Sequence, residues 1–147
     1  MPAPHIGEDP LVASELGAAV IKGMQGGADG MGALDDPTSA AACLKHFIGY
    51  PDQQISHDRT PNIIPDRQLL EYFAPPFRAA INAGAASMMA AYGSINGVPV
   101  TGSRAIMTEL VRDELGFDGE SSSPGTTTPL SAKEFLTHAV ECATASG

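Results

Sequence analysis

Apolar residues along the chain recur at two spacings, one typical of amphipathic helices and one typical of short buried strands. Helical spacing begins near Pro10, Asp66 and Ser103, and a glycine suited to end a helix follows each stretch. Compact apolar runs bounded by turn residues occupy 41–47 and 86–92, and we predict a strand in each. The order helix, strand, helix, strand, helix is typical of an α/β protein with a parallel sheet and helical crossovers. In the first helical stretch the apolar positions are Leu11, Val12, Leu16, Ala19, Val20 and Met24.

Two features interrupt this regular order. Pro75 and Pro76 fall inside the second helical stretch, and we expect them to break or kink it because proline lacks a backbone N–H donor. Residues 49–65 are polar, contain three prolines and show no periodicity. Such a long segment is typical of a functional or disordered loop.

The alternation of elements requires a further strand after Gly119, but the sequence there lacks the pattern of one. Residues 120–129 contain no aliphatic side chain, and a last helical stretch follows. We therefore divide the chain into a segment 1–119 of alternating helices and strands, a polar linker 120–130 in place of a strand, and a helix 131–147. This conflict between local composition and required architecture disfavours a complete fold.

Length and charge limit the architecture and the partners. At 147 residues the chain is shorter than the ~200 residues that a TIM barrel needs at least. The formal net charge of −9 disfavours nucleic acids and anionic membrane surfaces as partners. The first residues match no secretory signal peptide, and no apolar run approaches the ~20 residues of a membrane span. We expect neither on this chain, and its composition leaves the localisation open.

Polar side chains lie where both predicted strands end, which is where parallel α/β folds bind ligands. Lys45 and His46 end the first strand, and a cation beside an imidazole suits hydrogen bonding to hydroxyls or neutralising a carboxylate. Met89 and Tyr92 end the second, and a thioether with a phenol suits the lining of a sugar or aromatic pocket. The alternative is structural: an exposed lysine with a core histidine, and a core tyrosine with a bonded hydroxyl.

The remaining chemistry-bearing residues match no catalytic or metal-binding spacing. The two cysteines are far apart and the other histidines are isolated, so we expect no metal and no cofactor. Glu8 and Asp9 are explained as charges at a helix N-terminus. Asp58 and Arg59 form either an exposed ion pair or a contact that orders the long loop near a ligand.

Several motifs, taken together and in order, resemble the family 3 glycoside hydrolases. They are Gly-Glu-Asp-Pro at 7–10, Lys-His-Phe at 45–47, Asp-Arg-Thr-Pro at 58–61, the run from Met88 through Tyr92 to Asn96-Gly97-Val98-Pro99, and Leu-Val-Arg-Asp-Glu-Leu-Gly-Phe-Asp-Gly at 110–119. The resemblance implies a TIM-barrel-like catalytic domain, of which this chain is an incomplete (β/α) segment, followed by an α/β sandwich domain. It implies retaining hydrolysis of β-linked glucosides or related sugars.

The resemblance also implies roles for the residues at the strand ends. Lys45 and His46 match a pair that holds sugar hydroxyls, and Met89 and Tyr92 match positions that line the same subsite. The expected substrate is a small glycoside or oligosaccharide. The remainder of the enzyme is then a missing partner of this chain.

No catalytic residue is assigned, because the family's two catalytic carboxyl groups lie elsewhere. The nucleophilic Asp belongs to the strand after the Gly-Phe-x-Gly motif, where this chain has residues 120–129, and the acid/base lies beyond Gly147. The family's sugar-binding Arg, expected before Gly-Glu-Asp-Pro, has no counterpart in residues 1–6. Glu120 is rejected as a substitute because it lies at the wrong end of the expected strand.

The replaced strand suggests a shifted reading frame or a misplaced exon edge. A run of Ser codons TCG, read one base over, becomes a run of Val codons GTC, so the serines can be a shifted reading of a valine-rich strand. A transcript that encodes 120–129 as printed, with no other frame supplying an Asp, contradicts this hypothesis. We expect the chain alone to be inactive. The alternatives are a non-catalytic sugar-binding or interaction remnant, and an unrelated small α/β binding protein.

Overall fold

The computed structural model describes residues 8–26, 36–50 and 60–122, and for 120–122 the description is limited to the backbone. The predicted helix 131–147 lies outside this range. The helices are α1 (Pro10–Gln25), α2 (Asp66–Gln68) and α3 (Ala74–Asn82), with π-helices at Leu69–Phe73 and Ala105–Glu114 and a 3-10 turn at Val100–Gly102. The strands are β1 (Cys43–Phe47), β2 (Ser87–Ala90), β3 (Ser94–Ile95), β4 (Val98–Pro99) and β5 (Glu120–Ser122).

Strands β1, β2 and β5 form a parallel sheet in that order. The helical segment 66–82 crosses over between β1 and β2, and the π-helix Ala105–Glu114 crosses over between β2 and β5. The short strands β3 and β4 form an antiparallel hairpin directly after β2. The predicted α/β alternation is therefore confirmed in the described part of the chain.

The prediction of a polar linker throughout 120–130 is wrong at its first three residues. Glu120–Ser122 enters the sheet beside residues 87–89 of β2 as a parallel strand. Main-chain hydrogen bonds form whatever the side chains are, so polar residues join the ladder once the preceding chain brings them into register. Residues 123–130 lie outside the described part of the chain.

Arg112 holds the turn that brings the chain into β5. Its guanidinium donates hydrogen bonds to the carbonyl oxygens of Phe117 (2.7 Å) and Gly119 (2.9 Å). The same guanidinium lies over the Phe117 ring, 5.3 Å from its centroid. Charge-assisted bonds and a cation–π contact thus fix the segment between the last helix and the strand.

Helix α1 begins at Pro10, as predicted, and Asp9 is its N-cap. The Asp9 Oδ1 atom accepts hydrogen bonds from the N–H groups of Leu11 (2.7 Å) and Val12 (3.2 Å). The helix ends at Gly26, which has a φ of 74°. The C-terminal part of α1 is buried through Ile21 and Gln25, but its predicted apolar stripe is largely exposed. The exposed members are Leu11, Val12, Leu16, Ala19 and Val20.

The second helical stretch changes type before its two prolines instead of breaking. The N–H of Ala74 donates to the carbonyl of Leu69, five residues back, at the end of the π-helix. Pro75 and Pro76 follow in the first turn of α3, and the helical path continues through residues 66–82 although both lack an N–H donor. The Phe77 ring then packs edge-on against Phe47, with centroids 4.8 Å apart, and joins α3 to β1.

Candidate functional site

The carboxyl ends of β1 and β2 lie side by side, and the four predicted site residues lie on these strands or directly after them. Lys45 pairs with Met89, and Phe47 pairs with Ala90, so His46 is one extra residue of β1 between the two pairs. Such a β-bulge redirects side chains and is frequent beside functional sites. The sheet therefore brings Lys45 and Met89 next to each other. His46, on the bulge, lies outside the regular alternation of side chains along β1.

On β1, Lys45 is exposed and His46 is half-buried. The imidazole packs against the Tyr50 ring, with centroids 4.7 Å apart and planes tilted by 42°. The peptide bonds Lys45–His46 and Phe47–Ile48 are cis. The imidazole thus lies at the boundary of the core, in ring contact with the loop that follows the strand.

On β2, Met89 is half-buried and Tyr92 lies two residues beyond the strand. The Tyr92 side chain is 54 % exposed, so the alternative that it is a core aromatic is wrong. An exposed phenol beside a strand end offers both an apolar ring face and a hydroxyl to a ligand.

Three loop segments meet at these strand ends: residues 48–50, residues 60–64 and the β3–β4 hairpin. Asn62 links all three, because it forms a parallel bridge with Ile95 and its Nδ2 donates to the Gly49 carbonyl (2.8 Å). Part of the long segment predicted as functional or disordered is therefore ordered against the site. The motif residues Asp58 and Arg59 lie outside the described residues.

Tyr50 and Asn62 are the residues that the sequence did not single out. Neither belongs to a motif or a periodic pattern, because their contacts depend on loops that meet only in the folded chain. Asn96 is recognisable from the sequence as part of an Asn-Gly turn. Its side-chain bonds to the Ile64 backbone are not recognisable there, since 32 residues separate the two.

A cavity of about 410 Å³ lies between α1, α3 and β1 and adjoins the candidate site at Lys45. Its lining includes Val20, Met24 and Phe77, with Lys45 at one side. An apolar lining suits apolar groups and offers few partners for sugar hydroxyls. The cavity is therefore not the part of the molecule that fits a sugar.

Other features of the described residues do not alter this site. No three His, Cys, Asp or Glu side chains converge there as a metal centre requires. No helix in the described ranges is long and apolar enough to span a bilayer. The Thr38 hydroxyl and N–H donate to the Asp36 carboxylate and lower its pKa, and this turn precedes β1, away from the strand ends.

Comparison with known proteins gives consistent matches. The family model of the glycosyl hydrolase family 3 N terminal domain matches residues 5–124. The chain is 45% identical over 114 residues to the lysosomal beta glucosidase of Dictyostelium discoideum, covering 77% of this chain and 14% of that relative. It is 38% identical over 114 residues to a beta-xylosidase of Formosa agariphila, covering 77% and 15%. The solved beta-glucosidase of Listeria innocua in complex with glucose matches with a TM-score of 0.72 and 34% identity, over 79% of this chain and 16% of that one.

The chain thus spans 14–15% of the length of these curated relatives. The matched region extends five residues beyond Gly119 and includes β5. The interpretation as an unrelated small α/β protein is wrong, because a family model covers most of the chain. This protein belongs to glycosyl hydrolase family 3, in the region of that family's N-terminal domain.

Proposed function

We propose that this chain supplies sugar-contact residues of a hydrolase that acts on terminal β-linked glucosides or related sugars with retention. The observation that carries the proposal is the register of the sheet: Lys45 and Met89 are neighbours, and His46 lies on the bulge beside them. Tyr92 is exposed at the end of the adjacent strand. The relatives support the substrate class, since they are β-glucosidases and a β-xylosidase and one is solved with glucose.

The chemistry of the four side chains suits a sugar ring. The Lys45 ammonium has three donors, and the His46 imidazole offers a donor and, when neutral, an acceptor, so both can bond to hydroxyl groups. Met89 and Tyr92 provide apolar surface for the ring's C–H face. Hydrogen bonds to the hydroxyls accelerate hydrolysis if they strengthen as the sugar flattens toward an oxocarbenium ion.

The architecture that we propose is a segment of a TIM-barrel-like domain. The repeating unit of such a domain is a strand followed by a helix, and the described sheet has three parallel strands joined by helical crossovers. Ligands bind at the carboxyl ends of such strands. Strand β1 lies at an edge of the described sheet. In the complete enzyme this edge is where we place the preceding strand of the barrel.

The 147-residue chain by itself is expected not to hydrolyse glycosides, because retaining hydrolysis requires a carboxylate nucleophile. In the register of the sheet Met89 lies beside Ser122, so the expected nucleophile position follows Ser122, beyond the described residues. Glu120 is paired with Ser87, the first residue of β2. Its backbone is therefore at the end of the sheet opposite to Tyr92.

A glucose titration followed by NMR, together with a hydrolysis assay, tests the proposal. We expect saturable shifts at Lys45, His46 and Tyr92, and no release of p-nitrophenol from p-nitrophenyl β-glucoside. Lys45→Met should weaken glucose binding by about tenfold, because a charged donor to a hydroxyl is lost. Lys22→Met, at an exposed position of α1, is the matched control and should leave the affinity unchanged.

Each outcome bears on a separate statement. Glucose shifts that do not saturate, or equal affinities for Lys45→Met and Lys22→Met, contradict the sugar-contact site. Measurable hydrolysis by the purified chain contradicts its inactivity. The transcript around residues 120–130 separates an enzyme from a non-catalytic remnant, since a frame that encodes an aspartate there supports the enzyme.

A further inference from the structure

We propose that Asn62 and Asn96 are positioning residues, which join the loops after β1 and β2 and so hold His46 and Tyr92 in place for the sugar. This inference rests on the proposed function. Neither asparagine lies on the strands that carry the sugar-contact residues. Both act through the loops that they connect.

Asn62 is 4 % exposed and ties its segment to both neighbouring loops. Its N–H donates to the Ser94 carbonyl (2.8 Å), and its own carbonyl accepts from the Asn96 N–H (2.9 Å). Its side-chain Nδ2 donates to the Gly49 carbonyl (2.8 Å) in a buried environment. A buried hydrogen bond of this kind is costly to lose, because the Gly49 carbonyl would be left without this donor and away from water.

Asn96 completes the connection from the other side. Its Oδ1 accepts from the Ile64 N–H (3.1 Å) and its Nδ2 donates to the Ile64 carbonyl (2.8 Å). The side-chain amide of Asn96 thus bonds to both backbone groups of Ile64, as the main chain of a neighbouring strand would. Asn96 has a φ of 51°, a left-handed conformation that asparagine adopts more readily than most residues.

Close packing beneath the two asparagines leaves the loops little freedom to shift. Ile64 is fully buried and Ile95 is 5 % exposed. Gly49 has a φ of +76°, and a Cβ there would lie 2.7 Å from the Ile64 Cδ1 and 3.2 Å from the Ile95 Cδ1. The three segments therefore touch at a position where only glycine fits without adjustment.

The linked loops lie close in sequence to residues that contact or precede the candidate sugar site. Gly49 precedes Tyr50, whose ring packs against the His46 imidazole. Ser94, which accepts from the Asn62 N–H, lies two residues after Tyr92. Misplacing a contact group by about 1 Å weakens its function strongly, so a fixed spacing between the loops matters for binding.

The test compares Asn62→Leu and Asn96→Gly in the chain labelled with 3-fluorotyrosine. The sequence has three tyrosines, and Tyr72 on the π-helix Leu69–Phe73 is as exposed as Tyr92 (56 % against 54 %), so it is an internal reference. We expect the ¹⁹F signals of Tyr50 and Tyr92 to shift or broaden and that of Tyr72 to stay. Glucose affinity should fall by about tenfold. Val98→Ala, at an exposed position of the same hairpin, should change neither.

A purely structural role of the two asparagines predicts a different result. The folded variants would then have a lower unfolding midpoint, an unchanged Tyr92 signal and an unchanged glucose affinity. That result overturns the proposal. If the parent chain does not bind glucose, the proposed function fails, and the tyrosine signals alone decide the positioning. If Asn62→Leu does not fold, Asn96→Gly decides, because glycine keeps the left-handed backbone and removes only the side-chain bonds.

Discussion

Gly119 is the residue on which the entry into β5 depends most directly. A Cβ at this position would lie 2.6 Å from the Ala86 carbonyl oxygen and 2.8 Å from the Phe117 ring. The Ala86 carbonyl belongs to the backbone just before β2, so it has little room to move. The Gly119 carbonyl also accepts from Arg112, which places the same residue under two constraints.

Gly119→Ala is therefore expected to lower the free energy of unfolding by about 1–3 kcal/mol, as other overpacking substitutions do. Gly23→Ala is the control, because nothing lies within 4 Å of a Cβ there and the site is an exposed helix position. It should stabilise the chain by about 0.5–1 kcal/mol. Urea unfolding followed by circular dichroism measures both, and equal stabilities would refute the account of Gly119.

Among the elements, α1 is attached to the sheet through one buried amide at its C-terminal end. Gln25 is fully buried, and its Nε2 donates to the Gly84 carbonyl (2.6 Å). Its Oε1 accepts from the N–H groups of Ala42 (2.8 Å) and Ala86 (3.1 Å), which precede β1 and β2. One side chain thus aligns the amino ends of both strands, opposite to the candidate sugar site.

Gln25→Leu is expected to destabilise the chain by about 2–4 kcal/mol, because it removes the partner of two N–H groups and one carbonyl. Lys22→Leu, at an exposed position of α1 three residues earlier, should change stability by less than ~0.5 kcal/mol. Since Gln25 lies at the far end of the strands, folded Gln25→Leu should bind glucose as the parent does. A loss of affinity without a loss of stability would contradict this role.

For the whole molecule, the apolar stripe of α1 is the surface that bears most directly on association, because its large side chains are exposed to water. Leu11 is 69% exposed, Leu16 49% and Val20 52%. Contiguous apolar surface of this kind drives association when it is left in water.

The isolated chain is therefore expected to self-associate as its concentration rises. Leu16→Lys should reduce the association, because it places a charge in the middle of the stripe. Glu15→Gln changes the net charge by the same amount on the same exposed helix and leaves the stripe intact. Sedimentation velocity distinguishes the two, and an equal effect of both variants would assign the association to charge alone.

The sequence by itself determined the main helices and the first two strands of the parallel sheet. Local signals were sufficient for the start of α1 at Pro10, the glycines that end α1 and α3, and the two strand ends near Lys45 and Tyr92. Such signals work because caps, glycine conformations and helical spacing involve residues within four positions of one another. The order of the motifs was enough to identify the family, whose model covers residues 5–124.

Only the tertiary structure decided which polar residues enter the sheet and which loops meet. Glu120–Ser122 has no strand pattern, and it pairs with β2 because the turn held by Arg112 delivers it there. The bonds of Asn96 to Ile64 and of Gln25 to Ala86 join residues 32 and 61 positions apart. The spacing of apolar residues along the chain cannot predict such contacts, since they depend on where the packed sheet places each loop. The outward direction of the α1 stripe was decided in the same way, because an amphipathic pattern shows that a face is apolar and not what lies against it.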